Sequence, residues 1–168
     1  MIKEILSKKS FLNFSIVFFI FLLDRISKLI VVHLVDKNNN SELFLSKFLN
    51  IQLIWNEGVA FGLLSFEKEN LYNILTFIIL IIIIVICFMI VKTDGIKKYP
   101  LILILGGALG NAYDRVFYKA VPDFIDLHIE ESHWFIFNIA DVFITFGVFF
   151  MILGEFIGKN KYEDYEKN

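Results

Sequence analysis

Apolar residues in this chain come in blocks far longer than one face of an amphipathic helix requires, and polar residues gather in the gaps between the blocks. The clearest block, Leu71 to Val91, carries no charged residue. Crossing a bilayer takes about 20 mostly apolar helical residues. Four stretches meet that length: about Phe11 to Val35, Leu71 to Val91, Tyr99 to about Phe117, and about Phe135 to Ile157. The first is interrupted by Asp24, Arg25 and Lys28, and the fourth contains Asp141. The third opens on Pro100, which the first turn of a helix tolerates. Lys3, Lys8 and Lys9 ahead of the first block imitate a secretory leader, but no small-residue cleavage site follows, so the block is expected to be a retained helix.

The gaps differ in character. Residues 36–70 are too polar to span, yet Phe48 to Trp55 is rich in strand formers and Val59 to Leu64 resumes after Asn56-Glu57-Gly58. Asn and Gly tolerate the positive φ of a tight turn, which predicts a small β-hairpin at one membrane surface. Residues 119–134 are expected to form a second excursion on the same side. The opposite side collects Lys3, Lys8, Lys9, then Lys92, Lys97, Lys98, then Lys159 and Lys161. Cytoplasmic flanks are enriched in Lys and Arg, so both termini are expected in the cytoplasm and both excursions outside. The tail after Gly158 reads as disordered. The expected fold is therefore all-α and integral to the membrane: one domain, 1–168, of four transmembrane helices with a small outer-face β element.

Composition sharpens this picture. Of 168 residues 57% are hydrophobic and 20 are Phe, and the mean hydropathy of +0.68 lies outside the range of ordinary soluble domains. A net charge of −2, clustered between the apolar blocks, offers nothing to a nucleic-acid backbone, and membrane lipid is the expected surrounding. Cys87 is the single cysteine and sits inside an apolar run, so an intrachain disulfide is excluded and a packing or lipid-facing role is expected.

Ionisable groups at membrane depth are costly and are usually functional or paired. Two stand out. Asp123 follows Pro122 just beyond the third block, and Asp141 lies near the outer end of the fourth, so both belong near the outer interface. Adjacent carboxylates share a proton, which supplies a base to activate water and an acid for the departing amine. Two unrelated interfacial acids would give the same sequence. Asn111, Asp114 and Arg115 stand at i, i+3 and i+4, and Asn138 and Asp141 at i and i+3, so each set shares a face and the two faces should meet. Asp114 and Arg115 could instead anchor a helix end at the headgroups. Asp24 and Lys28 are one turn apart and can neutralise each other, or can serve substrate binding, while Arg25 is expected to snorkel. His33, His128 and His133 are too scattered for a helical zinc motif, so no metal or other cofactor is expected. Gly106 and Gly110 lack the Lys-Ser or Lys-Thr of a phosphate loop and fit close helix packing.

Five ordered blocks carry a resemblance: Asp24-Arg25-Ile26-Ser27-Lys28, Asn56-Glu57-Gly58-Val59-Ala60-Phe61-Gly62, Gly106-Gly107-Ala108-Leu109-Gly110-Asn111-Ala112-Tyr113-Asp114-Arg115, Val121-Pro122-Asp123-Phe124-Ile125-Asp126, and Phe137-Asn138-Ile139-Ala140-Asp141. Together they cover nearly the whole chain, which resembles bacterial lipoprotein signal peptidase, or signal peptidase II. The resemblance implies an aspartyl endopeptidase of the bacterial inner membrane that cuts diacylglyceryl-modified prolipoproteins just before the lipidated cysteine. It implies Asp123 and Asp141 as the catalytic pair, with Asn111, Arg115 and Asn138 around them. Asn56 and Gly58 fall in an outer β-cradle over the substrate, and Asp24 and Lys28 are polar residues of the first span. Asp114 is carried as a supporting residue, Asp126 is a third acid close to the pair, and a monomer is expected. The family often has Gly where this chain has Lys119 and Pro where it has Phe135.

Two rival classes remain at this level. A small proton or ion translocator would use Asp24, Asp114 and Asp141 as a relay, but the inner halves of the third and fourth blocks are apolar. A noncatalytic assembly factor would hold the acids for structure alone and would tolerate their replacement by Asn.

Overall fold

Four long helices and a four-stranded antiparallel sheet account for most of residues 8–58, 68–129 and 132–166, the residues described in a computed structural model. In chain order they are α1 (Lys8–Asn38), β1 (Glu42–Phe44), β2 (Leu49–Asn56), α2 (Lys68–Lys92), a 3₁₀ turn (Gly95–Lys97), α3 (Lys98–Tyr118), β3 (Val121–Ile129), β4 (Ser132–Phe137) and α4 (Ile139–Glu166). Two segments, Tyr72–Lys92 of α2 and Ile139–Ile157 of α4, are long and apolar enough to cross a membrane on length and composition. Large apolar side chains on all four helices point outward, among them Phe11, Ile84, Phe117 and Phe156. Contiguous apolar exposure on that scale suits a lipid-facing surface and not a water-facing one.

α3 is the central helix and touches the other three. Glycine makes this possible. A Cβ on Gly106 would stand 2.8 Å from the Ile20 side chain of α1, and one on Gly110 would land on the Asp24 carboxylate. A Cβ on Gly107 would strike the Ala140 carbonyl oxygen at the start of α4. The small-residue stripe thus lets two helix backbones approach α3 from two sides, as close packing at Gly106 and Gly110 required. The third contact is conventional: Ile83 and Ile86 of α2 bury against Leu101, Leu105 and Ala112 of α3.

The sheet joins the same ends of the helices, following α1 and α3 and preceding α4. Its order is β1-β2-β3-β4. Several sequence expectations shift here. β2 pairs with β1 on one side and β3 on the other, and Val59 to Leu64, the second arm of the expected hairpin, lies outside the described residues. Within the second excursion, residues 121–129 and 132–134 are strand, and the fourth apolar block starts late because Phe135 to Phe137 belongs to β4, opposite Leu127 to Ile125. Short aromatic and β-branched runs fit strand or helix equally well by pattern, and here pairing decides. α4 continues to Glu166, through the residues read as a disordered tail.

Lys119, where α3 ends, adopts left-handed geometry at φ 60° and ψ 13°. A side chain there crowds the following carbonyl, which is why helices favour glycine at this position. Lys119→Gly is expected to raise stability by about 0.5–1 kcal/mol once the greater freedom of the unfolded glycine is subtracted. A thermal melt in detergent checks it, and a lower melting temperature would contradict the reading of Lys119 as strained.

Candidate active site

The site is built from α1 outward. Lys28 is fully buried and its ammonium meets three oxygens: Asp114 Oδ2 at 2.7 Å, Asn111 Oδ1 at 2.8 Å and Asp24 Oδ2 at 2.9 Å. Arg25 donates to the other oxygen of Asp114 and lies over the Tyr113 ring, 4.7 Å from its centroid. It does not snorkel, because its guanidinium finds a carboxylate and an aromatic face inside the protein. Two cations and two carboxylates give a neutral quartet that ties α1 to α3. Asp24 extends the tie to α4 by accepting the Ala140 N–H at 3.0 Å. That N–H belongs to the first turn of α4, where backbone donors lack intrahelical partners.

Asn138 caps the same turn reciprocally. Its Oδ1 accepts the Asp141 N–H, and Asp141 Oδ2 accepts the Asn138 N–H, both at 3.1 Å. This is a capping box with Asp in the position that Glu or Gln often holds. The box leaves the Asn138 amide nitrogen free to donate to Asp123 Oδ1 at 2.6 Å. One buried asparagine therefore touches both acids. The second oxygen of Asp123 accepts from Asn56 Nδ2 at 2.8 Å, while Asn56 Oδ1 receives the Gly58 N–H at 2.7 Å. Asn111 closes the frame, donating to Asp141 Oδ1 at 2.8 Å while Lys28 holds its carbonyl oxygen. The predicted faces of α3 and α4 do meet, through this bond.

Arg115 lies at the edge of the frame. Its guanidinium carbon is 6.0 Å from the centre of the Tyr72 ring, and its carbonyl accepts the Tyr72 hydroxyl at 3.2 Å. Gly58, at φ +81°, sits against it: a Cβ there would stand 2.7 Å from Leu75 and 3.1 Å from Arg115 Nη1. Gly58 thus bridges Asn56 and Arg115, two residues that the sequence reading placed in separate groups. Asp126 does not join the pair. It is buried on the opposite face of β3, accepting from Gln52 at 2.8 Å and Asn50 at 3.4 Å. Gln52, Asn50 and Tyr72 were missed by sequence reasoning, since only strand register and helix packing bring them here. Register also sets His128 opposite His133, which their spacing did not reveal. Among the described residues no three His, Cys, Asp or Glu side chains are grouped to hold a metal ion.

Burial lifts the Asp123 carboxyl from the ordinary 3.8 to about 6. The Asn56 and Asn138 amides pull it down, the nearby Asp141 charge pushes it up and Lys28 lowers it slightly. A folded pKa above the unfolded value means that the fold favours protonated Asp123. Its contribution to stability is complete below about pH 4 and is lost as pH rises through about 6. Asp123→Asn lacks this titration, so its melting temperature relative to wild type is expected to rise between pH 4 and pH 6. A constant difference across that window would contradict the burial reading.

Comparison with known proteins agrees with the architecture. A family model described as signal peptidase (SPase) II matches residues 16–157. Lipoprotein signal peptidase of Pelagibacter ubique is 48% identical over 161 residues, 96% of each chain, and that of Aquifex aeolicus is 42% identical, covering 94% of this chain and 93% of its own. A solved bacterial membrane enzyme superposes with a TM-score of 0.70 at 32% identity, over 84% of this chain and 90% of that one. A second gives 0.67 at 28% identity, over 89% and 90%. With helices, sheet and the framed pair of acids all in place, the chain belongs to the signal peptidase II family.

Proposed function

We propose that this member of a family of membrane proteases that process lipoproteins works as an aspartyl endopeptidase, with Asp123 and Asp141 as its reacting pair. The observation that carries the reading is Asn138, which bonds both carboxylates at once and holds them on one side of the sheet. Asp123, more buried and still protonated toward pH 6, is the acid, and Asp141 is the base. Water gives a proton to Asp141 as its oxygen attacks the scissile carbonyl, and Asp123 protonates the carbonyl oxygen. On collapse the C–N bond breaks, the proton on Asp141 passes to the departing amine, and Asp123 recovers its proton from the diol. The rival ion relay loses support because Asp24 and Asp114 are committed to Lys28 and Arg25.

The proposed substrate is a prolipoprotein carrying diacylglyceryl on its cysteine, cut just before that residue. An apolar cavity of about 210 Å³ opens beside Asp141 between Leu127, Phe135, Phe137, Val142 and Phe146. Its lining supports recognition of a lipid-embedded substrate through apolar contact. In this reading all four helices span the inner membrane, both termini are cytoplasmic, and the sheet lies at the outer face. The enzyme acts as a monomer without metal.

Incubating the purified protein in detergent with lipidated precursor should yield the shortened product. Asp123→Asn and Asp141→Asn are each expected to lower the rate about 10³-fold or more, with little further loss in the double variant, as for groups that act as a unit. Unlipidated precursor should be cleaved poorly. Near-normal turnover by either folded single variant would remove that residue from the mechanism, and equal rates on both precursors would remove lipid from recognition.

A further inference from the structure

α1 and α2 both pack on α3 but scarcely on each other. Between them lies an apolar cavity of about 420 Å³, walled by Phe18 and Phe21 of α1 and Ile83 of α2. Leu109, Tyr113 and Val116 form its floor and share one face of α3 by their spacing. Asn111, which reaches Asp141, leaves α3 about 200° round from Leu109. The cavity therefore belongs to the side of α3 turned away from the acid pair, and the mechanism does not use it.

Aromatic rings mark its outer end. Tyr113 meets Phe21 edge to face with centroids 6.0 Å apart, and Tyr118 lies 6.2 Å from Tyr113 and 6.3 Å from Trp55. Tyr and Trp collect at headgroup depth in membrane proteins, so the cavity runs from hydrocarbon below to headgroups above. Lys119 follows Tyr118 at that level, close to one turn beyond Val116. It is exposed and, among the described residues, has no carboxylate partner. Arg25, which also lies over Tyr113, is already held by Asp114. Lys119 keeps a left-handed backbone that glycine would adopt at less cost, and an outlier of this kind is a pointer to function.

An apolar slot at hydrocarbon depth, an aromatic collar and a cation above them match the three zones of a phospholipid: acyl chain, glycerol esters and phosphate. Because no carboxylate offsets Lys119 among the described residues, charge complementarity favours an anionic headgroup over a zwitterionic one. We propose that the cavity holds an acyl chain of an anionic phospholipid of the outer leaflet, with its phosphate at Lys119. The lipid fills the gap that α1 and α2 leave open and is distinct from the substrate. From the proposed function this takes only the placement of the sheet at the outer face.

Native mass spectrometry of the delipidated protein in detergent, titrated with phosphatidylglycerol or with phosphatidylcholine of the same chains, tests it. The wild type should hold one phosphatidylglycerol about five-fold more tightly, the factor that one lysine near a headgroup supplies. Lys119→Gln should abolish that preference, with the strain matched because both residues carry a side chain at the left-handed position. Val116→Trp, made at an exposed position of the floor, should fill the slot and weaken both lipids about ten-fold or more. Lys119→Gln alters only the surface and carries the test if Val116→Trp does not fold. Equal retention of the two lipids by the wild type, or an unchanged preference in Lys119→Gln, overturns the proposal. So does displacement of the bound lipid by lipidated precursor, which would give the cavity to the substrate, or a lipid-free dimer that Val116→Trp abolishes, which would give it to a second copy. An Asp123→Asn enzyme that stays active would instead overturn the aspartyl mechanism and leave the lipid result standing.

Discussion

A lysine ammonium with no access to solvent is the constraint on which the rest of this molecule depends. Lys28 donates to Asn111 and Asp114 on α3 and is ion-paired with Asp24 on its own helix α1. A buried charge left without such partners is several kcal/mol out of balance, so the helices are not free to slide relative to one another. Arg25 completes the charge balance on Asp114, and Asp24 carries the connection into α4. Glycine at 106, 107 and 110 is the steric counterpart, since a methyl group at any of them would collide with the neighbouring helix or with the Asp24 carboxylate.

From that anchor the polarity of the site follows through three asparagines. An amide side chain fits two ways round, and in each case a donor on the carbonyl oxygen fixes which. Lys28 holds Asn111, the Asp141 N–H holds Asn138, and the Gly58 N–H holds Asn56. Each amide is then compelled to present N–H: Asn111 to Asp141, and Asn138 and Asn56 to Asp123. The two acids therefore sit in different surroundings. Asp123 is sunk beneath the sheet where desolvation favours its neutral form, whereas Asp141 lies in the first turn of α4 beside the apolar cavity. Separated environments are what let two identical groups take the roles of acid and base.

Much of this was legible from the sequence for a simple reason: helix geometry converts spacing into shared faces. Asn111 with Asp114, and Asn138 with Asp141, could be grouped from i, i+3 spacing, and Asp24 with Lys28 from i, i+4. Sheet geometry gives no such short-range rule. Pairing of β2 with β3 joins residues more than 60 positions apart, so neither the Asn56 contact with Asp123 nor the Asp126 contact with Gln52 was foreseen, the resemblance having placed Asn56 only in a β-cradle over the substrate. The strand identity of Phe135 to Phe137 was hidden by its continuity with the apolar run of α4. The inward turn of Arg25 was hidden because nothing in local sequence shows that Tyr113 and Asp114 wait across the helix interface.

The central claim is that the charge on Lys28, passed through the Asn111 amide, aims Asp141 at its task. Single-turnover kinetics of Lys28→Met on lipidated precursor, with folding checked independently, tests this most directly. A misdirected catalytic group costs on the order of 10²-fold, so the account predicts a loss of that size in the chemical step. It also predicts that adding Asn111→Ala causes little further loss, because the amide has already lost its orientation. A folded Lys28→Met enzyme with an unchanged chemical step, or full additivity of the two substitutions, would contradict it.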